Sequence, residues 1–345
     1  MNQSEDLVPG DKVTEFDETL ANVNYFLNVW LLMILSLVGV VANSLTIAVL
    51  RQQGWKEGVN ISMMVISVLD LVRCLLTIFK GIHGFIEIVS PSDGVSWSNL
   101  TTPNAEFLNV LTNYVTFAML AYVSLERCLC VTLPFTMKSV FNHKVTITTL
   151  TMTAASVYGM FIVLFLNFDL EAVFSANFNA TIIILVHSRF YHTHSAIVDP
   201  YLNIMSMLHP TLCFIILCIS SVVILKQLQK SRDTFSSNKK KDLVWNRPPP
   251  KTETLCLRFS KREKRVTKML LVVMVVYIGN LAPRVTWYAW QIFQPEFRPL
   301  GRLNDLFMLS VTAMFILDLL HASVNFFIFY SLSSGFKKTF DALWT

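Results

Sequence analysis

Charge is scarce in this sequence, and a cysteine pair that could tie its outer loops is missing. Only 15% of the 345 residues are Asp, Glu, Lys or Arg, against 53% hydrophobic. That balance excludes an ordinary soluble domain, and no nucleic-acid partner is expected. Cys74, Cys128, Cys130, Cys213 and Cys218 fall in apolar segments and Cys256 in a basic loop, so there is neither a disulfide framework nor a zinc-ligand spacing. Internal repeats are absent, which argues against a transporter built from inverted halves. No His or Asp cluster has catalytic spacing, so an enzyme is not expected. The first 24 residues are acidic and polar, without a basic stretch leading into an apolar core. No cleavable leader is expected, and the first apolar helix would direct insertion.

What the sequence does have is long apolar runs. Seven segments reach the roughly 20 residues needed to span a bilayer: about 25–50, 59–89, 104–133, 145–167, 200–228, 265–293 and 303–331. The second, third, fifth and sixth carry polar residues at helical spacing, which predicts that they face a bundle interior. The fold class is therefore all-α: a seven-transmembrane helix bundle over 25–331, preceded by an extracellular tail, 1–24. After it, SSGFKKTFDALW predicts a short amphipathic eighth helix on the membrane surface within 332–345, with Phe336, Phe340 and Leu343 or Trp344 on one side and Lys337 and Lys338 on another. The inner loop 229–263, with its KKK and PPP runs, reads as disordered, basic and close to anionic membrane lipids. In the outer loop 168–198 the β-prone run Thr181 to Val186 predicts a hairpin capping the bundle. His187, His192 and His194 in that loop match no common metal spacing.

Orientation follows from the basic residues. Arg51, Lys56, Lys138, Lys144, the dense run from Lys226 to Lys268, Lys337 and Lys338 fall on one face, and Lys12, Arg189, Arg298 and Arg302 on the other. The first set should be cytoplasmic, giving a multi-pass plasma-membrane protein with its N-terminus outside. The glycosylation sequons at Asn2, Asn99 and Asn179 fall on the outer face, and that at Asn60 on the inner.

The stretch Thr116 to Pro134 is apolar until it breaks into Glu126-Arg127. An arginine there either anchors at the headgroups or lies across a carboxylate. Seven helices, with Glu126-Arg127-Cys128 ending the third, resemble the rhodopsin-like (class A) G-protein-coupled receptors. Asn43 in GVVANSL, Asp70 in SVLDLV, Pro210, Pro283 and Asn325 in HASVNFFIFY stand in the helices where that family carries the same residue types. The runs WKEGVNISMMVISVLDL, ERCLCVTLPFTMKSVF and NFFIFYSLSSGFKKTF are similar to molluscan chemosensory-type receptors and to invertebrate FMRFamide-type peptide receptors. The resemblance implies an extracellular small-molecule or peptide ligand and a heterotrimeric G protein as partners. A receptor fold with weak or no signalling is the alternative. It also implies an ionic lock of Glu126, Arg127 and Glu263. Asn43, Asp70, Thr116 and Asn325 resemble the family's sodium pocket; a sodium ion at Asp70 and a hydrated polar network are the two alternatives, and no other cofactor is expected. There are departures. Thr102 replaces the cysteine at the outer end of the third helix, and the loop 168–198 has none, so the hairpin must be held by packing alone. Phe326 and Phe329 replace the seventh-helix proline and tyrosine, and Asn280-Leu281-Ala282-Pro283 replaces the sixth-helix tryptophan motif.

The ligand pocket is expected to be polar: Arg73, Lys80, Glu106, Asn109, Asn113, Arg284, Tyr288 and Asp318. Asn109 stands where amine receptors have an aspartate, and Leu319 where opsins have a lysine, so neither ligand class is favoured. Arg73, Lys80 and Arg284 face only Glu106 and Asp318 if Asp70 keeps to its own cluster. One surplus cation then predicts a ligand with an acidic group. The alternative sets Arg73 on Asp70 and Arg284 on Asp318, with a neutral ligand.

Overall fold

The computed structural model describes residues 15–54, 58–133, 140–245, 261–294, 296–297 and 302–344, and for 15–18, 21, 231–245, 261–265 and 344 the backbone alone. Seven helical spans are long and apolar enough to cross a membrane: Asn22–Gln53, Gly58–Val89, Pro91–Thr132, His143–Leu166, Arg189–Lys230, Val266–Phe293 and Asn304–Leu332. Ile34, Leu37, Val41, Leu75, Ile219 and Val222 are exposed on the outside of the bundle, while Leu120, Leu217, Leu270, Met274 and Leu281 fill its core.

Helix α1 (Glu15–Phe26) passes through a π-helical turn into α2 (Leu32–Gln53). Gly54 stops it at φ 86°, a conformation that a side chain would strain. The second span is α3 (Gly58–Gly81) with α4 (His83–Val89). The third begins earlier than the apolar run implied. Pro91 opens α5 (Pro91–Thr101), which continues through a π-helical turn at Thr102–Glu106 into α6 (Phe107–Thr132). Proline at a first helical position gives up only an N–H that had no partner there, so polarity did not prevent helix. Asn142 caps α7 (His143–Phe161), accepting from the Lys144 and Val145 amides at 3.0 and 3.1 Å. Then come β1 (Phe168–Ser175), β2 (Ala180–His187), α8 (Arg189–Trp245), α9 (Lys261–Phe293), α10 (Asn304–Leu332) and α11 (Ser334–Trp344).

Helix α8 is longer at both ends than hydropathy suggested. It takes in His192 and His194, whose neighbourhood is a set of ring stacks: His187 on Tyr191 at 4.0 Å and Phe190 on His194 at 4.7 Å. No group of three metal-ligating side chains forms among the described residues. At the other end, α8 runs on to Trp245. The expectation of disorder from 229 is therefore corrected for 229–245, where no Gly or Pro interrupts the chain; 246–260 lie outside the described residues. Helix α11 is fixed by Phe336, 2% exposed, whose ring meets Phe326 and Phe329 of α10. Phe340 also meets Phe326, while Leu343 stays exposed. Phe326 and Phe329 thus become the dock for α11.

The hairpin is held by more than packing. β1 and β2 pair antiparallel, with Ala172 opposite Ile183. The Ile183 N–H donates to Ser96 Oγ at 3.1 Å, and its carbonyl accepts from Asn99 Nδ2 at 3.0 Å. Ser96 and Asn99 are three apart on α5 and so share a face. Together they close one position of an open strand edge. Thr102, in the cysteine's place, donates to its own helix at Ser98. Asn99→Ala should speed hydrogen exchange of the hairpin, and Asn99→Ala with Ser96→Ala more so. At about 1 kcal/mol per bond, the expected changes are roughly fivefold and roughly thirtyfold at Ile183. Thr101→Ala removes the sequon but keeps the amide, and should leave exchange unchanged.

Candidate functional site

Helical periodicity brings Asp70 and Arg73 to one face of α3, Asn109 and Asn113 to one face of α6, and Asn280 and Arg284 to one face of α9. All six side chains meet in the bundle core, and Asp318 of α10 joins them. The Asp318 carboxylate is 1% exposed. It accepts from Asn113 Nδ2 at 2.7 Å, Asn280 Nδ2 at 3.0 Å and Arg284 Nη2 at 2.7 Å. Arg73 Nη2 lies 3.6 Å away. Arg73, itself 1% exposed, turns Nη1 to Asp70 Oδ1 at 3.3 Å and Nε to Asn109 Oδ1 at 3.4 Å. Asn109 Nδ2 donates to Thr77 at 2.7 Å. The charges alternate as Asp70, Arg73, Asp318, Arg284. A carboxylate taken out of water is tolerated only when its lone pairs are met in this way.

The premise of a surplus cation is corrected by this geometry. Arg73 lies between two carboxylates, Arg284 bonds Asp318, and Lys80 bonds Glu106 nearer the hairpin end. Asp70 does not keep to its own cluster: it is three residues before Arg73 and takes its guanidinium. Five of the pocket residues (Arg73, Asn109, Asn113, Arg284 and Asp318) share one network. Lys80 and Glu106 form a separate pair. Tyr288 pairs its hydroxyl with that of Tyr114 at 2.6 Å and meets the network at Arg284. The guanidinium carbon of Arg284 also lies 5.6 Å from the Phe117 ring centre, and Arg284 Nε is buried without a partner.

Sequence reasoning passed over Asn280 and Tyr114 as pocket residues. Asn280 had a signal: it precedes Arg284 by one helical turn, and the two flank Pro283. Tyr114 had none beyond lying beside Asn113.

The four polar positions of the sodium reading separate. Asn325 Nδ2 reaches Asp70 Oδ2 at 3.3 Å. Asn43 instead donates to the Gly39 and Ala322 carbonyls at 2.9 and 3.1 Å. Thr116 donates to the Thr112 carbonyl of its own helix at 3.0 Å. With a guanidinium already on Asp70, this donor set does not fit a metal ion.

At the opposite end from the hairpin, Glu126 is 2% exposed and its carboxylate accepts from Arg127 Nη2. The Glu263 side chain lies outside the described residues. A cavity of about 500 Å3 opens at this end, with Leu50, Asn60, Met269, Phe329 and Phe336 among its lining.

Residues 30–345 match the family model described as serpentine type 7TM GPCR chemoreceptor Srw. No curated protein matches the chain. The chain belongs to the Srw family of seven-transmembrane chemoreceptors, a multi-pass membrane protein family and not an enzyme family.

Asp318→Asn should destabilise the bundle by about 3–5 kcal/mol, because two buried arginines lose their shared acceptor charge. Adding Arg284→Gln should recover part of that loss, with a coupling above about 0.5 kcal/mol. Thermal unfolding of the purified single and double variants measures both.

Proposed function

We propose that this Srw receptor lies in the plasma membrane with its N-terminus outside, takes an extracellular ligand at the hairpin end and activates a heterotrimeric G protein at the Arg127 end. The resemblance of Glu126-Arg127-Cys128, Asp70 and Asn325 supports reading it within the rhodopsin-like class, near the molluscan chemosensory and FMRFamide types. The observation that carries the signalling half is the Glu126–Arg127 pair. Its acid is buried, its arginine is 19% exposed in the side chain, and it sits at the end where a cavity opens between helices. An arginine held by the preceding residue of its own helix is a restrained contact, released when its side chain turns from Glu126 toward a partner. Glu263 is proposed as its second restraint.

The ligand pocket lies above the Asp318 network. Because the core charges close among themselves, the ligand need not be an anion. Arg284 Nε, buried and unpartnered, and the paired hydroxyls of Tyr114 and Tyr288 suit a small molecule that presents an acceptor oxygen. A carboxylate is one such acceptor and an amide another. An FMRFamide-type peptide would present amide carbonyls to the same groups.

Arg127→Ala should abolish G-protein activation while leaving ligand binding within about threefold. Glu126→Gln and Glu263→Ala should each raise basal signalling, about fivefold for a shift near 1 kcal/mol in the inactive state's favour lost. Nucleotide exchange in membranes reads both. Signalling unchanged by Arg127→Ala would mean that the fold does not couple through this residue. Orientation is read by glycosidase shift: Asn179, exposed in the hairpin turn at φ 49°, should carry glycan. Asn179→Gln should reduce the shift, and Asn60→Gln should not.

A further inference from the structure

Asp70 occupies the place where the resemblance implies an exchangeable cation, and it already has a cation of its own. It is fully enclosed. One carboxylate oxygen accepts from Arg73 Nη1 and the other from Asn325 Nδ2, both at 3.3 Å. A hard cation needs several oxygens gathered in one shell. Here Asn43 is drawn to the Gly39 and Ala322 carbonyls and Thr116 to Thr112. His321 packs its ring against Tyr277, and an imidazole nitrogen is a poor partner for an alkali ion. Asn43 Oδ1 and Asn325 Oδ1 remain without partners, which leaves acceptors that water satisfies as well as a metal does. The deciding feature is charge: a second cation on Asp70 would sit beside a buried guanidinium that has no acceptor atoms to offer it.

We infer that Arg73 is the resident counter-cation of Asp70 in place of a bound metal, so that the bundle is indifferent to sodium. A tethered cation cannot exchange with the medium. Because Arg73 also lies 3.6 Å from Asp318, the group that neutralises Asp70 joins α3 to α10 as well, which a free ion would not do by covalent attachment to either helix.

The test uses the purified full chain, without ligand or G protein, so its outcome is separate from that of the receptor reading. Thermal unfolding is followed in sodium chloride and in N-methylglucamine chloride at equal ionic strength. The wild-type midpoints should agree within about 1 °C. Arg73→Lys, which keeps the charge, should also be indifferent. Arg73→Ala, which leaves two buried carboxylates short of a cation, should gain a sodium-dependent rise of about 2–4 °C, lost again on adding Asp70→Asn. A wild-type midpoint that climbs several degrees in sodium overturns the inference. So does a folded Arg73→Ala that stays indifferent. If Arg73→Ala is not recovered folded, the wild type and Arg73→Lys decide it.

Discussion

The carboxylate of Asp318 is the point on which the bundle core depends. It gathers donors from α6 and α9, and lies beside the Arg73 guanidinium of α3. Apolar packing alone gives little reason for these helices to choose one register, because hydrocarbon contacts in a lipid surround are nearly interchangeable between helix and lipid. A buried acid with directional partners is different. Sliding or rotating a helix by one residue would leave an ion without its counter-charge, at a cost of several kcal/mol. The position of Asn280 and Arg284 on either side of Pro283 adds a mechanical consequence. Proline frees a carbonyl and weakens the helix there, and the two donors fasten α9 to α10 across that weak point.

The hairpin end solves a different problem. The β-hairpin must be fixed without a disulfide, and α5 does this with two short polar side chains. Because Ile183 turns both its N–H and its carbonyl outward from β1, one serine and one asparagine satisfy it completely. The N-terminal helix is tied at the same end: Tyr25 donates to Glu87 at 2.8 Å and Thr312 to Asn24 at 2.7 Å. These bonds are individually modest. The end built from them is accordingly easier to open than the ionic core.

Much of the architecture was legible because the bilayer imposes a length and a polarity on every span. Seven apolar runs, the hairpin run at Thr181 to Val186 and the amphipathic stretch at Phe336 and Phe340 all read directly from the chain. Span limits were less legible, since helices outrun their apolar segments at Pro91–Thr101, where proline sits harmlessly at the first helical position, and beyond Lys226, where no Gly or Pro intervenes as far as Trp245. The candidate residues were legible as a set, because ionisable groups inside apolar runs stand out. Their pairing was not.

Periodicity within one helix placed Asp70 with Arg73 and Asn280 with Arg284, since residues three or four apart share a face whatever the surroundings. The sequence by itself therefore determined the number of spans, the polar faces and the charges that must be accommodated. Only the tertiary structure decided that Arg73 lies between Asp70 and Asp318, that Lys80 goes to Glu106, and that Arg284 goes to Asp318. Those pairings depend on the relative rotation and depth of separate helices. Hydropathy cannot encode that arrangement, because it constrains each helix against lipid and not against its neighbours.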